Sequence, residues 1–354
     1  MKELTNNIID WLKNQLFPLR YEGNLLDKAF HCPMPTKFFI ETGNICNLRC
    51  PFCYTGLRRK GFAKGFMSKS DFKIILAKIA PYTKHISLYN YGEPFLNKDF
   101  LEMASLTTAK GIVCATHSNL TAYRFDDQTA EDVIRSGLAY ISASIDGASQ
   151  ETYARYRVGG SFELAIANLA LLQRVKERLN SATPELVWKF LINAFNEHEQ
   201  EKAKEIAISI GVPIEFHLMD VWGNEEWKSS LHKEQEVWGL ERDESRVTGT
   251  KEKWTKKMDF PVALDNLKLH PKLHYWCEQP FDAMVINWNG EVFPCCTACD
   301  DRLTLGNLIT TDIENLWNNK QYRACRKFLY NYGPLQGTGS VCEKVSCELR
   351  SKYL

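Results

Sequence analysis

The sequence predicts an α/β protein: a partial (βα)6 TIM-like barrel followed by a small cysteine-rich domain made of a β-hairpin plus a helix. Three observations predict it. Between residues 36 and 218, short β-branched or aromatic runs alternate with longer stretches of helical period, six times over, the pattern of βα units on a parallel sheet. Six units are too few to close an eight-unit barrel, so an open barrel with a lateral mouth follows. Residues 276–354 hold seven of the twelve cysteines, and a segment of that size is more readily stapled by metal than held by an apolar core of its own.

The elements follow in order. Residues 1–35 place Ile8, Ile9, Leu12 and Leu16 at helical spacing, which suits a helical extension packed on its own domain, with a membrane-surface or partner helix as the alternative. Asn, Asp, Lys and Gln interrupt this stretch, so it lacks a signal peptide's apolar region, and no run reaches membrane-spanning length; a cytoplasmic chain without a membrane span is expected. Candidate strands are Lys37–Gly43, His85–Tyr89, Gly111–Thr116, Ala139–Ile145, Glu185–Asn193 and Val212–Leu218. Helical stretches between them include Ser68–Ile79, Phe162–Leu179 and Glu199–Ile210, the first opened by Ser68 and Ser70 as N-cap candidates. The barrel domain is thus assigned to 36–220, with ligands at the C-terminal ends of the strands. Residues 221–275 spread Trp222, Trp227, Trp238 and Trp254 through a charged stretch, with Gly249 between two threonines. This reads as a bridge whose tryptophans anchor it to the barrel or form a substrate lid.

The net charge of +1 provides no field to attract polyanions, so nucleic acid is not an expected partner. In a chain of this size clustered cysteines point to metal ligation rather than disulfides. Cys46, Cys50 and Cys53 stand in Asn44-Ile-Cys-Asn-Leu-Arg-Cys-Pro-Phe-Cys-Tyr54, directly after the first strand. Three thiolates can hold three corners of a cubane, leaving the fourth iron open to a substrate-like molecule. Structural zinc is the alternative, but it takes four protein ligands, and the nearest other cysteine, Cys32, precedes the strand. Further on, Cys277 and Cys295 flank a hairpin turning at Asn289-Gly290. The ends of a hairpin are close, so these two can share a metal, in a cluster or a zinc ribbon. Cys32, Cys114, Cys296, Cys299 and Cys325 are left over, and free cysteines are most often buried as small hydrophobes.

The Cys-x3-Cys-x2-Cys spacing after strand one, with Phe52 before the last cysteine, resembles the radical S-adenosylmethionine (SAM) superfamily. Tyr91-Gly92-Glu93-Pro94 after strand two is similar to that family's Gly-Gly-Glu-Pro segment, with Tyr in place of the first Gly. The resemblance implies that this segment binds the SAM amino group, with Gly92 allowing close backbone approach and Glu93 as an acceptor. It continues through Ser118-Asn119 and through Ser144-Ile-Asp146-Gly147, followed by Tyr156-Arg157 and Gly159-Gly160. These imply Ser118, Asn119 and Ser144 near the SAM ribose or methionine, Arg157 on its carboxylate, and Ile192 and Asn193 at the adenine. The order Leu305-Gly-Asn307, Ile313–Trp317, Tyr322–Arg326, Cys342, Cys347 resembles the SPASM/twitch module. It implies one auxiliary [4Fe-4S] cluster on Cys277, Cys295, Cys342 and Cys347. The closing Cys-x4-Cys departs from the usual Cys-x2-Cys, which leaves Cys296 and Cys299 as alternative ligands.

What the resemblance implies is reductive cleavage of SAM to a 5′-deoxyadenosyl radical that abstracts hydrogen, with flavodoxin or ferredoxin as electron donor. The twitch-like module and Tyr-Gly-Glu-Pro resemble enzymes that oxidise a cyclitol alcohol, so a sugar-like or cyclitol metabolite is the expected substrate, oxidised or epimerised. Peptide maturation is the alternative, against which stands the short stretch before the first strand, too short for a fused leader-binding domain. A third reading is a non-catalytic iron–sulfur protein, which has no need of the Glu93 and Arg157 contexts. No catalytic residue is assigned, although superfamily epimerases use a thiol as hydrogen donor and any left-over cysteine could serve.

Overall fold

The computed structural model describes residues 31–57, 63–221, 223–232, 279–298, 303–330 and 341–344. Six parallel strands alternate with helices as expected: β1 (Lys37–Ile40), α1 (Lys69–Ile79), β2 (His85–Ser87), α2 (Phe100–Thr108), β3 (Val113–Ser118), α3 (Asp127–Arg135), β4 (Tyr140–Ser144), α4 (Gln150–Tyr156), α5 (Phe162–Arg178), β5 (Glu185–Ile192), α6 (Gln200–Ser209) and β6 (Ile214–Leu218). They pair in sequence order from β1 to β6. Side-chain caps set several helix starts: Ser68 accepts the Asp71 N–H at 3.1 Å, Asp126 that of Thr129 and Ser161 that of Leu164. Ser70 is not a cap; it lies inside α1 and bonds the Ser68 hydroxyl.

Most strands are shorter at their ends than the sequence suggests, and β3 is displaced by two residues. Gly111, at φ +74°, closes a turn by donating to the Thr108 carbonyl. The chain becomes extended only at Val113, so Ser118 is the last strand residue rather than a residue of the following loop.

Alternation along the strands separates two faces. Phe38, Ile40, Ile86, Leu88, Cys114, Ile141, Ala143, Trp188 and Phe190 pack in one core with Phe72, Ile75, Met103, Val133, Leu169 and Leu172 of the helices. Burying each of the Phe, Ile, Leu, Val and Met side chains among them contributes about 1.5–3 kcal/mol. The opposite face is polar and aromatic. Phe39, Tyr89, His117 and Tyr140 form a ladder of rings across β1–β4, with Tyr89 and His117 stacked at 4.1 Å.

The C-terminal hairpin joins the edge of the barrel sheet. After the short α7 (Gln279–Asp282), β7 (Ala283–Ile286) pairs parallel with β1 and extends the barrel sheet, and β8 (Val292–Phe293) pairs antiparallel with β7. All four β7 side chains are buried; a strand apolar on both faces belongs inside a sheet, not in an isolated hairpin. The turn sits where expected: Gly290 lies at φ +82° and donates to the Asn287 carbonyl.

Three further helices follow, α8 (Ile313–Trp317), α9 (Lys320–Tyr330) and α10 (Val341–Lys344). Arg326 of α9, fully buried, ties that helix to α8 and α7: Nε donates to the Pro280 carbonyl, Nη1 to Asn318 Oδ1 and Nη2 to the Trp317 carbonyl, with the guanidinium 4.4 Å above the Trp317 ring. Asn318 also bonds the Cys32 backbone in both directions, Trp317 Nε1 donates to the Pro33 carbonyl, and Lys37 pairs with Asp282 at 3.0 Å. The start of β1 is therefore tied to the C-terminal helices. The expected N-terminal helix, Trp222, Trp238, Trp254, Cys277, Cys299 and Cys347 lie outside the described residues. Among those described, no helix is long and apolar enough to cross a membrane.

Candidate functional site

The loop after β1 carries Cys46, Cys50 and Cys53, and all three enter one apolar cluster with Leu48, Phe52, Tyr156, Leu191, Met219, Val221 and Trp227. The loop is fixed by backbone bonds: Arg49 N–H to the Val158 carbonyl, Cys53 to Cys50, and Glu93 N–H to the Ile45 carbonyl. Burial pushes the Cys46 thiol up to about 12, against a bond from the Leu48 N–H, while Glu93, Cys50 and Cys53 add to the rise. Burial likewise raises Cys50, with the Arg157 guanidinium opposing. Three thiols held near one another, with ionisation of Cys46 and Cys50 unfavourable, suit a cationic metal group, which reverses that balance when it binds.

The surroundings fit a sulfur-bound cluster. Leu48 N–H points at Cys46 Sγ at 3.4 Å, the Asn119 amide at 3.7 Å, and Arg157 Nη1 at Cys50 Sγ at 3.9 Å. Donors of this kind tune cluster sulfurs. Among the described residues no three Cys, His, Asp or Glu side chains close on a single ion; a cubane gives each sulfur its own iron and does not need them to meet at one point.

The segment after β2 lies against this loop. Gly92 has φ +88°, and a Cβ there would fall 2.1 Å from the Gly43 carbonyl oxygen, so glycine is required for both conformation and approach. Glu93 is buried and accepts from Ser118 Oγ at 2.6 Å, the Asn119 N–H at 2.8 Å and the Phe95 N–H at 3.2 Å. Burial raises its pKa, and these three bonds oppose the rise. A carboxylate has about four acceptor positions, so one is left beyond this knot. Asn119 spends its carbonyl on Thr121 and its amide on Asn47 and Cys46, which joins the ends of β2 and β3 to the cysteine loop. Leu120, buried at φ +54°, marks the strained turn that brings Asn119 there.

Arg157, at the C-terminus of α4, is paired with fully buried Asp146 at 2.5 Å. Asp146 also accepts the Leu191 N–H at 2.8 Å, and its carbonyl takes the Asn196 amide. The pair links the ends of β4 and β5 to Cys50. Ser144, half-buried at the end of β4, stands opposite Lys189 of β5, which stands opposite Glu215 of β6. Phe52 packs edge-on to Trp227 at 5.2 Å, and Trp227 on Phe195 at 4.8 Å. The Trp227 carbonyl accepts the Ala194 N–H, so this tryptophan anchors its segment to the barrel.

Ile192 and Asn193 are not gathered with the cysteines. Alternation turns Ile192 into the helix-side core, and Asn193 caps the turn after β5 through Phe195 N–H and Asn196. Leu191, one residue earlier, faces the cysteine cluster. Sequence reasoning assigned no role to Asp146, Asn47, Tyr156 or Leu191. Asp146 was legible only as a motif letter, and Leu191 required the strand phase.

In the C-terminal region, Cys295 follows β8, Cys325 lies on α9 and Cys342 on α10, all buried. They surround Tyr322, whose hydroxyl donates to the Phe293 carbonyl. The Cys342 thiol bonds Cys325 and holds its pKa below the ordinary thiol value, aided by the Cys342 and Val341 N–H groups and Arg326, against burial. Cys325, left over in the sequence, thus joins Cys295 and Cys342. Cys114 is buried in the helix-side core, and Cys296 lies half-buried beside Gln279.

A partial barrel carrying such a cysteine loop, followed by a second cysteine module, defines a class, and the comparisons agree with it. Residues 40–183 match the radical SAM superfamily and residues 277–347 the SPASM iron–sulfur cluster-binding domain. The chain thus carries a radical SAM domain followed by a C-terminal SPASM domain; these domains bind SAM, a [4Fe-4S] cluster and auxiliary iron–sulfur clusters. It is similar to the AdoMet-dependent heme synthase of Methanosarcina barkeri, 30% identical over 49% of this chain and 47% of that protein. It is also similar to the mycofactocin maturase MftC of Mycolicibacterium smegmatis, 20% identical over 78% of this chain and 68% of that protein. The chain spans about half the length, or less, of the first curated relatives it matches. Streptococcus suis SuiB, solved with its precursor peptide SuiA, shares the fold at a TM-score of 0.61 and 15% identity, over 92% of this chain and 72% of that one.

Proposed function

We propose that this protein reductively cleaves SAM and abstracts hydrogen from a polar, sugar-like or cyclitol metabolite, oxidising or epimerising it. The observation that carries the SAM reading is the Asp146–Arg157 pair aimed at Cys50 inside the cluster that contains all three loop cysteines. The bound cofactors would supply a 5′-deoxyadenosyl radical, driven by an electron from a flavodoxin or ferredoxin. Cys46, Cys50 and Cys53 would hold the cluster, with the auxiliary one on Cys295 and Cys342 together with Cys277 and Cys347.

This chain's own residues do the positioning. Arg157 spends Nε on Asp146, and a guanidinium has five donors, so a face remains for the SAM carboxylate. Asp146 fixes that face by anchoring to the backbone of β5. Gly92 lets the backbone approach the amino group, and Glu93 has an acceptor position left for it. Ser118 and Asn119 shape the end of β3, and Ser144 stands beside the ribose. Phe52, Trp227 and Leu191 exclude water around the cysteine loop, and Ile192 and Asn193 offer backbone at the adenine. The ring ladder of Phe39, Tyr89, His117 and Tyr140, with Lys189 and Glu215 on neighbouring strands, supports a substrate that stacks on rings and hydrogen-bonds through hydroxyls.

A peptide substrate is the second reading, favoured by the 78% of this chain that aligns with MftC and by the SuiA peptide seen with SuiB. Anaerobic reconstitution, dithionite reduction and addition of SAM should yield 5′-deoxyadenosine; none from protein with full iron and sulfide content would overturn the enzyme reading. Deuterated cyclitols and deuterated peptides, offered separately, should differ in label transfer to 5′-deoxyadenosine. Label from peptides alone would replace the first substrate reading with the second.

A further inference from the structure

Tyr91 occupies the position where the superfamily pattern has its first glycine. The two glycine positions of that pattern are not equivalent in this chain. Gly92 is confined by its positive φ and by the Gly43 carbonyl, whereas position 91 accommodates a full aromatic side chain. That side chain reaches between the two cysteine regions. Its hydroxyl donates to the Cys296 carbonyl at 2.8 Å, and Cys296 is bonded directly to Cys295. Its ring packs edge-on to Tyr54 at 5.5 Å, and Tyr54 follows Cys53. Its N–H donates to buried Glu41 at 3.1 Å, whose own N–H bonds the Ile286 carbonyl on β7.

A continuous path therefore runs from Cys53 through Tyr54, Tyr91 and Cys296 to Cys295, and Tyr91 is fixed at both ends of it. From this geometry we infer that Tyr91 is a positioning residue that sets the separation of the SAM-cluster loop and the auxiliary-cluster loop. The loop after β8 has a second hold: the Cys296 N–H donates to Gln279 Oε1 at 3.0 Å, and Gln279 Nε2 points at Cys296 Sγ at 3.5 Å. Gln279 belongs to the same C-terminal region, so it orders the loop locally. Tyr91 is a contact that refers the loop to the other cluster. The inference rests on the proposed two-cluster assignment, and it concerns only how the two loops are spaced.

The test uses the reconstituted holoprotein and two variants. Tyr91→Phe keeps the ring against Tyr54 and removes only the hydroxyl; Tyr91→Gly restores the superfamily residue and removes both contacts. Hydrogen exchange by mass spectrometry should show protection of the 295–298 segment falling about fivefold in Tyr91→Phe, the equilibrium equivalent of one net hydrogen bond, and further in Tyr91→Gly. Protection of the β7 segment should not change. Pulsed EPR of the fully reduced protein should give a broader distribution of cluster–cluster distances in Tyr91→Gly than in wild type. Unfolding midpoints measured alongside separate this from general destabilisation, which would lower protection everywhere and leave the distance distribution unaltered. Wild-type exchange at 295–298 and wild-type distances in both variants would overturn the inference. Failure of the wild-type protein to bind two clusters would instead count against the functional reading.

Discussion

The two cysteine regions are held by opposite means. Around Cys46, Cys50 and Cys53 the fixing contacts are polar and come from the ends of β2, β3, β4 and β5: Glu93 with Ser118 and Asn119, and Asp146 with Arg157. Around Cys295, Cys325 and Cys342 the surroundings are mostly apolar, with Trp317 and Tyr322 packed under one buried guanidinium. A site that must admit a charged, zwitterionic cofactor needs hydrogen-bonding groups positioned in advance. A centre that only stores or passes an electron is served by burial. The difference predicts which substitutions act on chemistry and which on stability.

The largest effect should come from replacing Cys46, Cys50 and Cys53 together with alanine. Formation of 5′-deoxyadenosine should fall to background while about half the iron is retained, because one of two four-iron clusters survives. Mössbauer spectroscopy with iron and sulfide analysis checks this, and complete loss of iron would mean that the regions do not assemble independently. Next is Asp146→Ala, which leaves Arg157 buried without its carboxylate. Breaking a buried pair in this way costs about 3–5 kcal/mol, readable by chemical denaturation, and SAM binding should weaken with it. On the auxiliary side Arg326→Met removes the donors to Pro280, Trp317 and Asn318. It should cost about 3 kcal/mol, since buried acceptors are left unpaired, yet SAM affinity at the other site should hold. A parallel loss of SAM binding would show that the two regions are not separable.

How much of this was legible in the sequence follows the same division. The strands of the barrel were readable as short β-branched or aromatic runs between helical stretches, and the first and third also alternate: Lys37–Ile40 and Val113–Ser118 carry one buried and one less buried face, a period that local sequence records. The pairing of β7 with β1 was not readable. Ala283–Ile286 is apolar throughout, so no alternation marks its partner, and the contact joins positions about 246 residues apart, as the Thr36–Asp282 bonds also do. The three loop cysteines could be named because their spacing is local. Asp146 could not be given its role, because the Arg157 side chain meets it only after α4 has turned back toward the cysteine loop. Leu191 and Ile192 are adjacent, and only the phase of β5 decides which of them faces the cysteines. Cys325 was unassignable for a similar reason: its neighbour Cys342 lies on a different helix.

The smallest of the expected effects separates the polar barrel face from the apolar auxiliary core. Burial lowers the His117 pKa to about 3, with Lys189 and His217 adding to the shift and Glu215 opposing it. An unfolded chain binds the same proton near pH 6.5. Between these values the unfolded state holds more protons than the folded one, so stability rises with pH up to about 6.5 and is lost on acidification below it. His117→Gln, which cannot take up the proton, removes this dependence. Between pH 7 and pH 5 the wild type should lose about 2 kcal/mol relative to the variant, at about 1.36 kcal/mol per unit below 6.5. Denaturant titrations of both proteins at the two pH values give the difference directly. Parallel curves would mean that His117 is hydrated when folded, and hence that water reaches the Tyr89–His117 stack on which a substrate is proposed to lie.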